Sequence, residues 1–238
     1  MSPFECVPNF SEGRDPVKLE RIVGAGRAVP GVTVLDVERN ADHNRAVVSL
    51  VGEGDALLEG VFRMIQVAAK EIDLTQHRGE HPRMGATDVV PFVPLGTATM
   101  AEAVRLAERL GERVARELSI PVYLYAAAAR RPERADLARV REGQFEGLRD
   151  AIGADPARAP DFGEPRIHPT AGAVAITYST LRRGQLSAEL AAILVPCAIA
   201  ISWLRKLALP TATIGSWPTS IRTLGESAFL RRASIEAK

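Results

Sequence analysis

The chain has 238 residues, 46% of them hydrophobic and 25% charged, which is ordinary for a globular protein. Its formal net charge of +1 and its 5% aromatic content argue against nucleic-acid binding, which needs a basic field or stacking platforms. The first residues, MSPFECVPNF, lack the charged and apolar regions of a signal peptide. Two distant cysteines, Cys6 and Cys197, are typical of a reducing compartment. We therefore expect a cytoplasmic protein that binds neither nucleic acid nor membrane.

Hydrophobic periodicity and capping residues predict alternating strands and helices along the first part of the chain. Strands are predicted at Phe4–Val7, Val32–Val37, Ala46–Val51, Val89–Val93 and Val122–Tyr125. Helices are predicted from the N-cap Asp15 to about Ala28, over Leu57–Ile72, from the capping box of Thr99 and Glu102 to Leu118, and over 133–150. Residues 152–175 lack periodicity, and their prolines and glycines predict a long loop.

The order of these elements, βαββαβ with additions, predicts an α/β (α+β) fold. We expect a two-layer sandwich in which helices cover a mixed β-sheet. A Rossmann fold is the weaker interpretation, because the first strand is followed by PNFSEGRD, which contains one glycine.

The composition changes near Thr177. Residues 1–176 carry 22 basic and 26 acidic residues, whereas residues 177–238 carry 8 and 3, so the net charge changes from −4 to +5. Within the second part, residues 190–204 are apolar but too short to predict a membrane span, so we expect a buried segment. We predict two domains, 1–176 and an atypical C-terminal segment, 177–238.

The segment HRGEHPRMGATDVVPFVP, at residues 77–94, holds the densest group of titratable residues. His77 and His81 match the inverted zinc-protease pattern H-x-x-E-H, which works only on a helix. Gly79 weakens a helix here, and Pro82 keeps His81 out of the helical conformation. A zinc site would also need a third ligand, so we expect no metal.

A general base is the other chemical interpretation of this segment. His81 lies in a rigid, extended stretch, where a neutral imidazole is well placed to take a proton. Arg78 and Arg83 flank it and can bind carboxylates, and Asp88 can orient an imidazole or cap a turn. The alternative is that His77 and His81 only hydrogen-bond to backbone groups of the loop.

Five blocks of the sequence resemble glutamate formimidoyltransferases, in that family's order and with similar spacing. They cover residues 3 to about 176 and are ECVPNFSEGRD (5–15), LDVERNADHNRAVVSLVG (35–52), HRGEHPRMGATDVVPFVP (77–94), IPVYLY (120–125) and APDFGEPRIHPTAGA (159–173). The resemblance implies the N-terminal subdomain of an enzyme of histidine degradation that moves a formimino group from N-formimino-L-glutamate to tetrahydrofolate, its co-substrate.

The resemblance also implies roles for particular residues. The histidine of the GEHPRMG block, His81 here, is implied to be the catalytic base. Arg45, Arg78 and Arg83 are candidate substrate-binding residues, and Glu38 and Asn44 are candidates to line the same cleft. The implied folate-binding stretch consists of Gly163, Glu164, Pro165, Arg166, Ile167, His168, Pro169, Thr170, Ala171 and Gly172. Arg166 is expected to face the glutamyl tail of folate.

The resemblance stops near Ile176, where the family continues into a second subdomain. We hypothesise that 177–238 is a divergent, truncated or frameshifted remnant of that subdomain. A chain with only one wall of the folate cleft is expected to turn over weakly or not at all, and to form a homodimer through its exposed apolar surface. The alternative function is a non-catalytic folate-binding or assembly module that keeps only the fold.

Overall fold

A computed structural model of the chain describes residues 3–178. The strands are β1 (Pro3–Cys6), β2 (Asn9–Phe10), β3 (Val32–Asn40), β4 (Arg45–Glu53), β5 (Thr87–Pro94), β6 (Val122–Leu124) and β7 (Val174–Tyr178). The helices are α1 (Pro16–Arg27), α2 (Gly54–Glu71), α3 (Met100–Leu118), α4 (Leu137–Val140) and α5 (Gln144–Ala151). This mixed sheet with packed helices confirms the predicted α/β two-layer fold.

The sheet is antiparallel on one side and parallel on the other. In space the strands follow the order β3, β4, β1 with β2, β5, β7 and β6, because β1 and β2 both lie between β4 and β5. The β1 and β2 pairings with these neighbours are antiparallel, as is the pairing of β3 with β4. β5, β7 and β6 run parallel, so their starting ends meet at one edge of the sheet.

The capping signals predicted two of the long helices correctly. The Asp15 carboxylate accepts the backbone N–H groups of Val17 and Lys18 at the start of α1, with Pro16 at the first helical position. At the start of α3, Thr99 and Glu102 form the predicted reciprocal capping box. These contacts satisfy N–H groups that have no partner within their own helix.

Three predictions about secondary structure were wrong or incomplete. The single helix predicted over 133–150 is instead a 3₁₀ turn at Pro132–Arg134, followed by α4 and α5. The chain leaves the helical conformation at Asp136, which is extended, and at Gly143, where φ is +76°. The long loop predicted over 152–175 ends early, since Val174 begins β7 in the middle of the parallel side of the sheet. The two-residue strand β2 was not predicted, because it is too short to show a period.

The two faces of the sheet differ in what they carry. Phe4 of β1 and Leu106 of α3 both approach Gly54, the first residue of α2, so Phe4 lies on the helix-covered face. Because side chains alternate along a strand, Glu5 points to the opposite face. Asn9 also lies there and is buried, and Arg45 lies on the same face near one end of the sheet. We call the face that carries these three polar side chains the polar face, although Val51 and Val93 also lie on it.

Glu5 → Gln is expected to stabilise the protein at alkaline pH. Burial raises the pKa of the Glu5 carboxyl to about 7 from an unfolded value near 4.5. The unfolded chain therefore ionises at a lower pH than the folded one, and the free energy of unfolding falls as the pH rises from 4.5 to 7. The free energy of unfolding, measured in urea at pH 8, should rise by about 2–3 kcal/mol. The gain should shrink below pH 5. A gain that does not change with pH, or one equalled by Glu53→Gln at an exposed position, would contradict this explanation.

Within residues 3–178, no helix is long and apolar enough to cross a membrane. The apolar segment 190–204 and the predicted C-terminal segment 177–238, apart from Thr177 and Tyr178, lie outside the described residues. β7 itself continues past the expected boundary at Ile176 to Tyr178.

Candidate active site

Three loops meet at the start of β5 and form a narrow crevice on the polar face of the sheet. The first loop follows β2 (residues 11–15), the second joins β3 to β4 (residues 41–44), and the third leads from α2 into β5 (residues 72–86). The crevice is lined by Phe10, Ser11, His43, Asn44, Arg45, His77, His81, Arg83 and Asp88. The crevice itself has no room for a ligand of folate size.

Glycines allow the three loops to approach one another. A Cβ on Gly13 would lie 2.2 Å from the Asn40 carbonyl oxygen, and one on Gly79 would lie 2.4 Å from the His43 carbonyl oxygen. Asn44 then connects the loops, since its Oδ1 accepts the Gly13 N–H at 3.0 Å and its Nδ2 donates to the Arg78 carbonyl at 3.0 Å. The loops are thus held together by hydrogen bonds between the Asn44 side chain and the backbone of its neighbours.

His77 has a supporting position in this loop. Its Nε2 lies 3.0 Å from the Asn44 carbonyl oxygen, and Arg83 Nε donates to its Nδ1 at 3.3 Å. A carbonyl accepts and an arginine donates, so the ring carries its proton on Nε2. Burial lowers the pKa of His77, which keeps the ring neutral at pH 7. His77 therefore joins the Asn44 backbone to Arg83.

His81 contacts Arg45 with the opposite arrangement of its ring. Arg45 Nη1 lies 2.6 Å from His81 Nε2, and because a guanidinium only donates, Nε2 must accept and Nδ1 must carry the proton. Burial is the largest cause, and the positive charge of Arg45 the second, that lower the pKa of His81 to about 4. The imidazole is therefore neutral at pH 7, with its lone pair directed at Arg45.

Arg45 itself is incompletely satisfied. Its Nε and Nη2 atoms are buried and have no hydrogen-bond partner among the described residues. Burial is the main cause that lowers the pKa of Arg45 to about 10, and the guanidinium therefore remains charged at pH 7. A buried donor without a partner is costly, which marks this guanidinium as a candidate ligand-binding group.

Asp88 balances part of the positive charge in the crevice. Between Asn9 and Phe10 the pairing with β5 moves from Val89 to Thr87, so Asp88 is an extra residue in β5. This bulge helps direct Asp88 toward the crevice, where Oδ1 accepts the Met84 N–H at 2.8 Å and Oδ2 accepts Arg141 Nη2. Of the two roles expected for Asp88, orienting an imidazole or capping a turn, the bond from the Met84 N–H corresponds to the second.

The candidate substrate-binding arginines have different surroundings. Arg45 and Arg83 line the crevice, whereas Arg78 is exposed and its Nη1 donates to the His77 carbonyl at 2.8 Å. Arg83 donates through Nη1 and Nη2 to both carboxylate oxygens of Glu146, each at 2.8 Å. These bonds lower the pKa of Glu146 to about 2. Arg83 thus has a protein carboxylate as its partner, while Arg45 does not.

The predicted folate-binding stretch, 163–172, does not line this crevice. Its first part is exposed near the end of α3, where a Cβ on Gly163 would lie 3.3 Å from the Ala115 Cβ. His168 Nδ1 accepts the Ala171 N–H at 3.0 Å, so this ring stabilises its own turn. The stretch ends at Gly172, which forms a bridge to Gly85 in the loop that carries His81.

Two residues of this site were missed in the sequence. Arg141 and Glu146, the partners of Asp88 and Arg83, fall within the helix predicted over 133–150. Gly143, which ends that helical pattern, was the available signal. Asn44 lines the crevice as expected, but Glu38 is a half-buried residue of β3 that does not line it.

The described part of the chain shows no zinc-type arrangement. Residues 77–81 are not helical, as Gly79 and Pro82 predicted. Among residues 3–178 no group of three His, Cys, Asp or Glu side chains is placed to hold a metal ion.

The chain matches the formiminotransferase domain, N-terminal subdomain, over residues 3–179. It is similar to the glutamate formimidoyltransferase of Streptococcus pyogenes serotype M1, with 48% identity over 172 residues, or 72% of this chain and 57% of the relative. That of Thermoplasma acidophilum is 51% identical over 175 residues, 73% of this chain and 57% of the relative. The formimidoyltransferase-cyclodeaminase of Gallus gallus is 44% identical over 169 residues, 71% of this chain and 31% of the relative.

The chain therefore spans a little over half the length of the two glutamate formimidoyltransferases that it matches. The matched residues, 3–179, contain all five sequence blocks and every residue of the crevice. The chain belongs to the formiminotransferase family.

Proposed function

We propose that this chain transfers the formimino group of N-formimino-L-glutamate to tetrahydrofolate, a step of histidine degradation. The family match supports formimino transfer, and the observation that supports a site for it is the neutral His81 beside the incompletely paired Arg45. Tetrahydrofolate is the co-substrate in this proposal, and the stretch Gly163–Gly172, whose first four residues are exposed, is its candidate contact, with Arg166 toward the glutamyl tail.

In the proposed mechanism His81 moves one proton in each direction. N5 of tetrahydrofolate attacks the formimino carbon, so the N5–C bond forms as the π pair of the C=N bond moves to the imino nitrogen. The result is a tetrahedral intermediate in which N5 is positively charged. His81 Nε2 takes the N5 proton, which a weak base can do because a tetrahedral ammonium is acidic. The imino nitrogen pair then re-forms the C=N bond, and the C–N bond to glutamate breaks as the imidazolium returns its proton to the departing glutamate nitrogen. A low pKa of His81 favours that return, because such an imidazolium gives up its proton readily.

An assay of the full 238-residue chain with both substrates tests this proposal. Turnover should release glutamate together with formation of 5-formiminotetrahydrofolate, and His81→Asn should lower kcat by roughly 100-fold or more. Arg149→Gln, at an exposed position on α5, should leave kcat unchanged. Folate binding without turnover would instead support the non-catalytic module. Full activity in His81→Asn would remove His81 as the base.

A further inference from the structure

We propose that Arg45 is a positioning residue that occupies the lone pair of His81 until a carboxylate of the formimino donor binds the other edge of its guanidinium. The inference rests on the proposed function, since it takes His81 to be the base. It assigns Arg45 the recognition of the donor and the timing of proton transfer.

The first step in the argument is the direction of the Arg45–His81 contact. At 2.6 Å, Nη1 of Arg45 donates into the Nε2 lone pair, which is the pair that a general base must use. The guanidinium stays charged at pH 7, since its pKa lies at about 10. While this contact lasts, His81 is in the correct protonation state but its accepting atom is occupied. A proton can reach Nε2 only after Arg45 moves or is drawn away.

The second step is the identity of the unpartnered atoms on Arg45. Nε and Nη2 lie on the same edge of a guanidinium, so their N–H groups point in parallel toward one ligand. Both are buried and have no hydrogen-bond partner among the described residues. Two parallel N–H donors match the two oxygens of a carboxylate, and such bidentate pairs are short and strong. This edge is therefore suited to a carboxylate.

The third step is the charge around the crevice. Arg45 of β4 and Arg141 after α4 face His81 together with Asp88 of β5, and the His43 ring centroid lies 6.3 Å from that of His81. Asp88 already accepts from Arg141 and from the Met84 backbone. Two guanidinium groups thus share one carboxylate, so an additional anion beside Arg45 is electrostatically favourable.

The consequence of carboxylate binding at Arg45 is a stronger base. A carboxylate on the Nε and Nη2 edge offsets the positive charge that disfavours protonation of His81, and it competes for the guanidinium that holds Nε2. The pKa of His81 should then rise, although the part of the shift caused by burial remains. The base becomes available only when the donor is bound beside it.

Nitrogen NMR of the full chain, labelled with ¹⁵N-histidine, tests the inference directly. In the free protein at pH 7, His81 should carry its proton on Nδ1 and show a hydrogen-bonded Nε2, while His77 should carry its proton on Nε2. Saturating L-glutamate should move the Nε2 signal of His81 toward that of a free lone pair and raise its pKa by about one unit. Diethyl pyrocarbonate, which attacks unprotonated ring nitrogens, should modify His81 several-fold faster in Arg45→Gln than in the free wild-type protein.

Two variants and one control separate the outcomes. Arg45→Gln should raise the pKa of His81 without glutamate and abolish its response to glutamate. Arg45→Lys keeps the charge but lacks the two-donor edge, so it should bind glutamate at least several-fold more weakly. Arg149→Gln should behave as the wild type. A His81 proton on Nε2, or glutamate binding that leaves the His81 signals unchanged, would overturn the inference.

Further outcomes distinguish the source of the carboxylate and the dependence on the proposed function. A response to tetrahydrofolate or p-aminobenzoyl-L-glutamate, but not to L-glutamate, would assign the edge to the folate tail and overturn the assignment to the donor. A glutamate response in a chain without transferase activity would refute the proposed function and leave the carboxylate site standing. Transfer activity with no glutamate response of His81 would support the proposed function and refute the carboxylate site at Arg45.

Discussion

Asp88→Asn is expected to lower the free energy of unfolding by about 3–5 kcal/mol, because it removes the carboxylate from a buried ion pair. The side chain of Asp88 is 4% exposed and that of Arg141 is 13% exposed. Asparagine keeps the shape and an oxygen for the Met84 N–H, but its amide would face the Arg141 donor. Arg45 and Arg141 would then lie in the crevice without a balancing charge.

Urea denaturation at pH 7 measures this loss, and two comparisons identify its cause. Asp150→Asn removes a carboxylate that is 75% exposed and paired with Arg149, so it should change stability by less than about 0.5 kcal/mol. The double variant Asp88→Asn with Arg141→Gln should recover part of the stability, because it also removes one uncompensated cation. A loss below about 1 kcal/mol in Asp88→Asn would show that water screens the pair.

Sequence reasoning identified individual groups of the site but not the contacts between them. His81 and Asp88 were found because they belong to one dense loop, whereas Arg45 is 36 residues from its partner His81. Arg141 is 53 residues from Asp88. Such long-range pairs depend on the register of β1, β2, β4 and β5, which hydrophobic periodicity does not specify. The bulge in β5 is equally invisible, since it arises where β2 changes its pairing.

The same distinction between local and long-range information applies to the fold. The caps at Asp15 and Thr99 are local hydrogen-bond patterns, so α1 and α3 were predicted correctly. β7 is a short apolar run after a loop rich in glycine and proline, and its character as a strand comes from its neighbours β5 and β6. Prediction from the sequence was therefore least reliable for short elements that are created by pairing with distant strands.

The predicted base and the predicted folate-binding stretch are linked through the backbone. Gly85, in the loop that carries His81, pairs with Gly172 at the end of the folate-binding stretch. Ala86 N–H donates to the Ala171 carbonyl at 2.9 Å, and Ala173 N–H donates to the Met84 carbonyl at 3.0 Å. These bonds connect the two segments even though they do not share the crevice. A change at this bridge should therefore affect both segments.

Gly172→Ala is expected to cost about 3–5 kcal/mol of unfolding free energy or to prevent folding. Its φ of +73° disfavours any side chain, and an added Cβ would lie 2.1 Å from the Met84 carbonyl oxygen. Gly85→Ala should be similarly severe, since its Cβ would lie 2.0 Å from the Ala173 carbonyl oxygen. In both cases the obstacle is backbone, which cannot move without breaking the bridge.

The same substitution at Gly24 should have the opposite sign, and this contrast is the test. Gly24 lies within α1, and a Cβ there would meet no atom within 4 Å. Alanine should stabilise the helix by roughly 0.5–1 kcal/mol, because glycine loses more backbone freedom on folding. In thermal and urea denaturation, the unfolding midpoint of Gly24→Ala should therefore lie above that of the wild type, and the midpoint of Gly172→Ala below it. Equal effects from the two variants would mean that the chain tolerates a shift at the bridge, and the two segments would then not be rigidly coupled.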